Sequence, residues 1–137
     1  MRYVLDASVA LKWELPESDS DKAIALRDDF LGRRHELLAP DVFPVEVAHA
    51  LVRAERKNIL TSSEGAHALS RMLQELPQLF SSVLLLPRAH EIASAARLGV
   101  YDCLYLALAE RENRTLVTSD LRLLSLKAFQ TTDLANF

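Results

Sequence analysis

Apolar residues fall along this chain in short runs that alternate with stretches of helical spacing. Tyr3-Val4-Leu5 runs straight into Asp6, and a small-residue stretch follows from about Ala7 to Trp13. That pattern predicts a short buried strand, a tight turn at Asp6 and a helix. Pro16-Glu17-Ser18-Asp19-Ser20-Asp21 is polar and turn-like, and its acids suit a helix N-terminus. Ala23, Ile24, Leu26, Phe30 and Leu31 then recur at helical spacing. Glu36-Leu37-Leu38-Ala39-Pro40 reads as a second strand. Asp41 is expected to cap a third helix, with Pro44 in its first turn, running to about Lys57 and stopping at Asn58.

Thr61-Ser62-Ser63-Glu64 has the capping-box spacing and opens a helix that ends before Pro77. Ser82-Val83-Leu84-Leu85-Leu86 reads as a strand, after which Pro87 starts a helix that Gly99 ends. From Asp102 to Ala109 the run is apolar almost all round, the mark of a buried helix. Thr115-Leu116-Val117-Thr118 is the next strand, followed by Ser119-Asp120 and a short leucine-rich helix. Phe129-Gln130-Thr131-Thr132 reads as a fifth strand at an edge. Strands alternating with helices mean βα units, hence a parallel sheet covered on both faces, a three-layer α/β domain.

A chain of 137 residues, half apolar and a quarter charged, is expected to form a single globular domain spanning residues 1–137. No apolar run reaches the ~20 residues of a membrane span, so no membrane partner is expected. Cys103 is the one cysteine, which fits a reducing compartment and a cytoplasmic location. A net charge of −3 argues against coating nucleic acid by bulk charge and leaves room for a local basic patch. His35, His49, His67 and His90 are scattered and make no zinc pattern with Cys103.

Four acids carry the candidate chemistry. Asp6 and Asp120 each sit just past a strand, and in a parallel sheet both lie at the same edge, where such sheets place ligands. Asp102 opens the most apolar helix. Glu46 lies one turn into the third helix and shares a face with Ala50, Arg53 and Lys57. Taken singly, Asp6 and Asp102 are ordinary N-caps and Glu46 belongs to a solvated charge stripe. Together, four converging carboxylates would repel one another, and a divalent cation would relieve that repulsion. Oxygen donors without histidine or thiol select a hard ion, Mg²⁺ or Mn²⁺, which suits hydrolysis of a phosphodiester.

The stretches Asp6-Ala7-Ser8-Val9-Ala10-Leu11-Lys12-Trp13, Glu46 in its helix, Tyr101-Asp102-Cys103-Leu104-Tyr105-Leu106-Ala107-Leu108-Ala109 and Leu116-Val117-Thr118-Ser119-Asp120 resemble, in order, the motifs of PIN domains. They are most similar to those of VapC-type toxins. The resemblance implies a parallel five-stranded sheet of order 3-2-1-4-5 and Mg²⁺- or Mn²⁺-dependent endoribonuclease activity on RNA. It assigns the catalytic, metal-holding quartet to Asp6, Glu46, Asp102 and Asp120, and hydroxyl support of the carboxylates to Ser8 and Thr118. It also implies a cognate antitoxin protein and homodimerisation. Such an antitoxin is expected to lay an amphipathic segment in an apolar groove and to offer a basic side chain to the acidic pocket. Arg53 and Lys57, on the Glu46 face, are candidate RNA-guiding residues. A metal-dependent phosphatase normally has a second acid two residues after the first, where this chain has Ser8. Another metal nuclease, or an inactive PIN-like module that only binds a partner, also fits the pattern; the second would be favoured by loss of a quartet acid, and none is lost.

Overall fold

The computed structural model describes residues 1–137. Its five strands are β1 (Arg2–Leu5), β2 (Glu36–Pro40), β3 (Gln78–Phe80), β4 (Thr115–Thr118) and β5 (Thr131–Asp133). All pair in parallel, in the order β3-β2-β1-β4-β5. The three central strands carry unbroken apolar runs because both of their faces are covered. Val4 and Leu5, Leu37 to Ala39, and Leu116 and Val117 are all buried.

Seven helices complete the chain: α1 (Ala7–Leu11), α2 (Ser20–Leu31), α3 (Phe43–Arg56), α4 (Ser62–Gln74), α5 (Ser82–Ala96), α6 (Val100–Glu112) and α7 (Leu121–Leu124). The sheet grows from β1 through β2 to β3, then resumes on the other side of β1 with β4 and β5. With right-handed crossovers, helices before and after that switch cover opposite faces. Accordingly α3 packs on α1 and α4, while α5 packs on α6, which lies against β1, β2 and β4. Residues Cys103 to Ala109 of α6 are buried throughout, so this helix is the centre of the core. The reversal of strand order puts a topological switch point at the carboxyl ends of β1 and β4, the place where such sheets bind ligands.

Four local expectations need correction. The run from Ser82 to Leu86 is helix, not strand. Ser81 caps it by accepting from the Leu84 N–H, and only Leu85 of its apolar residues is buried, in step with Ala89 and Ile92 at helical spacing. The strand lies earlier, at Gln78–Phe80, on the sheet edge where little apolar surface is needed. Pro87 is therefore inside α5, near its exposed first turns, where water can serve the carbonyl left without its N–H. Gly99 does not end that helix. Arg97 closes α5 in the left-handed conformation (φ 56°), and Gly99, extended at φ −67°, stands as N-cap of α6. Asp41 does not cap α3, which starts from Val42; its Oδ1 instead accepts from the Ser82 N–H at 3.1 Å, tying the end of β2 to the start of α5.

Smaller shifts occur at the ends. Helix α1 stops at Leu11 rather than Trp13, and β5 begins two residues later than its sequence pattern suggests. Ile24 and Leu31 of α2 are exposed while Ala23 and Leu26 face the core. The capping box at Thr61 forms as read: Glu64 N–H donates to Thr61 Oγ1 and Thr61 N–H to Glu64 Oε1.

Candidate metal centre

Asp6 emerges from the central strand and is stitched to its neighbour: its N–H donates to the Val117 carbonyl at 3.2 Å. Its side chain is almost wholly buried. Oδ2 accepts from Thr118 Oγ1 at 2.6 Å and from Ser8 Oγ at 2.9 Å, while Oδ1 faces the Ser8 N–H at 3.5 Å. Asp6 thus does cap α1, and its carboxylate also reaches across to the end of β4 through Thr118. Thr118 Oγ1 in turn accepts the N–H of Asp120 at 3.0 Å. One hydroxyl therefore orients the first carboxylate and fixes the backbone of the last.

Asp120 caps α7, its Oδ1 accepting from the Arg122 N–H at 2.9 Å. Asp102 is not a cap. It stands in the first turn of α6, where Gly99 holds the cap position and no side chain bonds to the helix end. Glu46 stands in the first turn of α3, and its Oε1 accepts from the Tyr105 hydroxyl at 2.9 Å. Arg122 bridges the remaining two acids: its Nη2 lies 3.2 Å from Asp102 Oδ2 and 2.7 Å from Asp120 Oδ2, and its Nε 3.2 Å from Asp120 Oδ1.

Glu46 lies within electrostatic reach of Asp6 and Asp102, Asp6 within reach of Asp102, and Asp102 within reach of Asp120. Burial pushes the Asp6 carboxyl up, against the bonds from Thr118 and Ser8, and Asp102 adds repulsion. Burial likewise raises Glu46, which feels both Asp6 and Asp102. Asp102 is raised by burial and by Asp120, with Arg122 opposing. Asp120 is the exception, held below the usual carboxylate range by its bond to Arg122. The Tyr105 phenol is driven far up by burial and by the acids beside it, so it stays a hydrogen-bond donor.

No three acidic, histidine or cysteine side chains gather closely enough to ligate one ion directly. The donor set nevertheless suits a hard divalent cation. Every donor is a carboxylate oxygen, and Mg²⁺ needs only one or two of them, filling its octahedron with water. A cation would also offset the burial and repulsion that raise three of the acids.

Of the residues singled out from the sequence, hydrogen bonds join Asp6, Ser8, Thr118 and Asp120, Arg122 links Asp120 to Asp102, and Glu46 is near enough to Asp6 and Asp102 to feel their charge. Arg53, further along α3, and Lys57, its C-cap, are exposed and free of ion pairs. At 1.5 Å per residue, Arg53 stands about 10 Å from Glu46 along the axis and Lys57 about 16 Å. Cys103 is buried beside Asp102, its thiol pushed up by burial. Two residues of the site escaped the sequence reading, Tyr105 and Arg122. Tyr105 carries the only side-chain hydroxyl in the buried face of α6, and a buried phenol needs a partner, which was the available signal. Arg122, two residues after Asp120, gave none.

The PIN domain family model matches residues 3–128. Ribonuclease VapC9 of Mycobacterium tuberculosis is 34% identical over 120 residues, covering 88% of this chain and 87% of its own length. Ribonuclease VapC3 of Pyrobaculum aerophilum is 31% identical over 129 residues, covering 90% and 92%. Among solved structures, that of VapBC2 from Rickettsia felis bound to a DNA fragment from their promoter superposes with a TM-score of 0.67, at 14% identity, over 97% of this chain and 98% of that one. The identity is too low to show more than the shared fold, but the sheet order, the family match and the two ribonuclease relatives agree, and this chain belongs to the PIN-domain family.

Proposed function

We propose that this chain is a divalent-metal-dependent endoribonuclease and the toxin of a toxin–antitoxin pair, its 137 residues forming one PIN domain. The observation that supports the reading is the chain of contacts among acids at this edge of the sheet: Thr118 bonds both Asp6 and Asp120, Arg122 joins Asp120 to Asp102, and Glu46 feels the charge of Asp6 and Asp102, with no histidine or thiolate among them. The names of the relatives support the ribonuclease part, and VapBC2 in a structural neighbour supports a protein partner.

Asp6, Glu46, Asp102 and Asp120 are the residues that would hold Mg²⁺ or Mn²⁺, which when bound supplies Lewis-acid activation of the phosphodiester and of water. Thr118 and Ser8 fix Asp6 Oδ2 from two sides, so the most buried acid presents one orientation. Tyr105 does the same for Glu46 Oε1. Such hydroxyl support lowers the reorganisation needed when charge enters the site. Arg53 and Lys57, exposed along α3, are placed to neutralise phosphates of RNA approaching past Glu46.

Three of the four acids have an exposed apolar residue as immediate neighbour: Val45 beside Glu46, Tyr101 beside Asp102 and Leu121 beside Asp120. An acidic cleft with apolar neighbours suits an amphipathic antitoxin segment that carries a basic side chain. Homodimerisation is part of the same reading and is checked by sedimentation. The decisive experiment is cleavage of end-labelled RNA in Mg²⁺ or Mn²⁺, with and without excess EDTA. Cleavage should stop with the chelator and return on adding Mn²⁺; undiminished cleavage in EDTA by contaminant-free protein would overturn the reading.

A further inference from the structure

Arg122 is the only cation in ion-pair contact with the quartet; the other ion pairs of the molecule involve carboxylates elsewhere. Its guanidinium is not a buried structural strut. The side chain is 64% exposed, and its backbone is fixed independently by the turn that starts α7. The stem can therefore swing into solvent without disturbing the helix.

The way it holds Asp120 has a chemical consequence. A carboxylate offers about four lone-pair sites. Arg122 fills three at Asp120: its N–H and Nε both reach Oδ1, and Nη2 reaches Oδ2. The same Nη2 takes Asp102 Oδ2. A cation entering between Asp102 and Asp120 competes for these oxygens, and it repels the guanidinium already there.

We propose that Arg122 is a built-in counter-ion of the site, occupying the place between Asp102 and Asp120 that a divalent cation takes, so that cation entry and arginine release are one event. This rests on the metal-nuclease reading above. Before the metal arrives, the arginine neutralises part of an acidic crevice; once it arrives, the guanidinium is expelled into solvent.

The test is Mn²⁺ binding, read from the electron paramagnetic resonance signal of free Mn²⁺, with wild-type protein, Arg122→Ala, Arg122→Lys and the double variant Asp6→Asn/Asp102→Asn. Arg122→Ala should bind Mn²⁺ about 2- to 10-fold more tightly, the range expected when an exposed ion pair stops competing. Arg122→Lys, which keeps the charge and loses the fork, should lie between. In wild-type protein, modification of Arg122 by phenylglyoxal, followed by peptide mass spectrometry, should accelerate when Mn²⁺ is added, a change that a purely structural arginine would not show. Equal or weaker Mn²⁺ binding by folded Arg122→Ala, with binding abolished in the double variant, would overturn the counter-ion proposal and leave the metal site standing. Absence of Mn²⁺ binding to wild-type protein, or its persistence in the double variant, would overturn both.

Discussion

Replacing Thr118 by Val removes one hydroxyl from a fully buried position where it serves two acids at once. The shape is nearly kept, so the effect comes from hydrogen bonds. Thr118 Oγ1 donates to Asp6 Oδ2 at 2.6 Å, and it accepts the Asp120 N–H at 3.0 Å. A bond to a charged, buried carboxylate contributes about 1.5–3 kcal/mol, and the neutral backbone bond about 0.5–1.5. The added methyl returns about 0.8 kcal/mol of apolar burial. The expected net loss is about 1–4 kcal/mol, or roughly 4–13 °C in melting temperature for a chain of this length. Its pH dependence identifies the cause. The lost bond stabilised the ionised form of Asp6, so the variant's Asp6 carboxyl moves still higher. The difference from wild type should be small at acid pH, where Asp6 is protonated in both proteins, and should grow as pH rises through the raised folded value. Thr118→Ser, which keeps the hydroxyl, should show little of this pH-dependent term. Chemical melts of the metal-free proteins between acid and neutral pH measure it. A Thr118→Val protein as stable as wild type at pH 7, or one whose deficit is flat with pH, would refute the assignment of Thr118 as the hydroxyl that holds Asp6.

Asp102→Asn should fold, keep or gain melting temperature without metal, gain less from added Mn²⁺, and cleave RNA about 100-fold or more slowly; near-wild-type cleavage would remove Asp102 from the site. The sign of its pH response follows from the raised acids. Asp6, Glu46 and Asp102 bind extra protons in the native state, so metal-free wild type is most stabilised by them below their ordinary values of 3.8 and 4.5 and loses that stability as pH rises through the folded ones. The variant, with one such acid fewer, should lose less over the same range. Asp120, held low by Arg122, acts in the opposite sense, its contribution vanishing as pH falls through its folded value. Tyr105→Phe leaves Glu46 Oε1 without its donor and should cost about 1–2 kcal/mol in a urea melt while raising the Glu46 carboxyl further; an unchanged melt would show that water replaces the phenol. Arg53→Ala with Lys57→Ala should flatten the dependence of log Kd for single-stranded RNA on log salt by up to ~1.4, about 0.7 for each phosphate no longer neutralised; an unchanged slope would leave both residues on a plain solvated face.

The order of elements, the parallel sheet and the address of Asp6 and Asp120 could be read from the chain alone, because strand and helix differ in apolar period and buried parallel strands show as unbroken runs. Motif order also named Glu46, Asp102, Ser8 and Thr118. What failed was local competition. From Val83 to Leu86 every residue is apolar, so the run carries no period of its own, and only the burial of Leu85, Ala89 and Ile92 against the core makes it helix. Asp41 looked like a cap because capping is decided by near neighbours, yet its partner is Ser82, 41 residues away. Tyr105 and Arg122 depend on distance in the same manner. The phenol finds Glu46 across 59 residues, and Arg122 reaches Asp102 across 20 because α6 packs against β1 and β4, which sets its first turn beside the start of α7. Periodicity is local and survives in the sequence, whereas a hydrogen bond between distant side chains exists only once the sheet has set their separation.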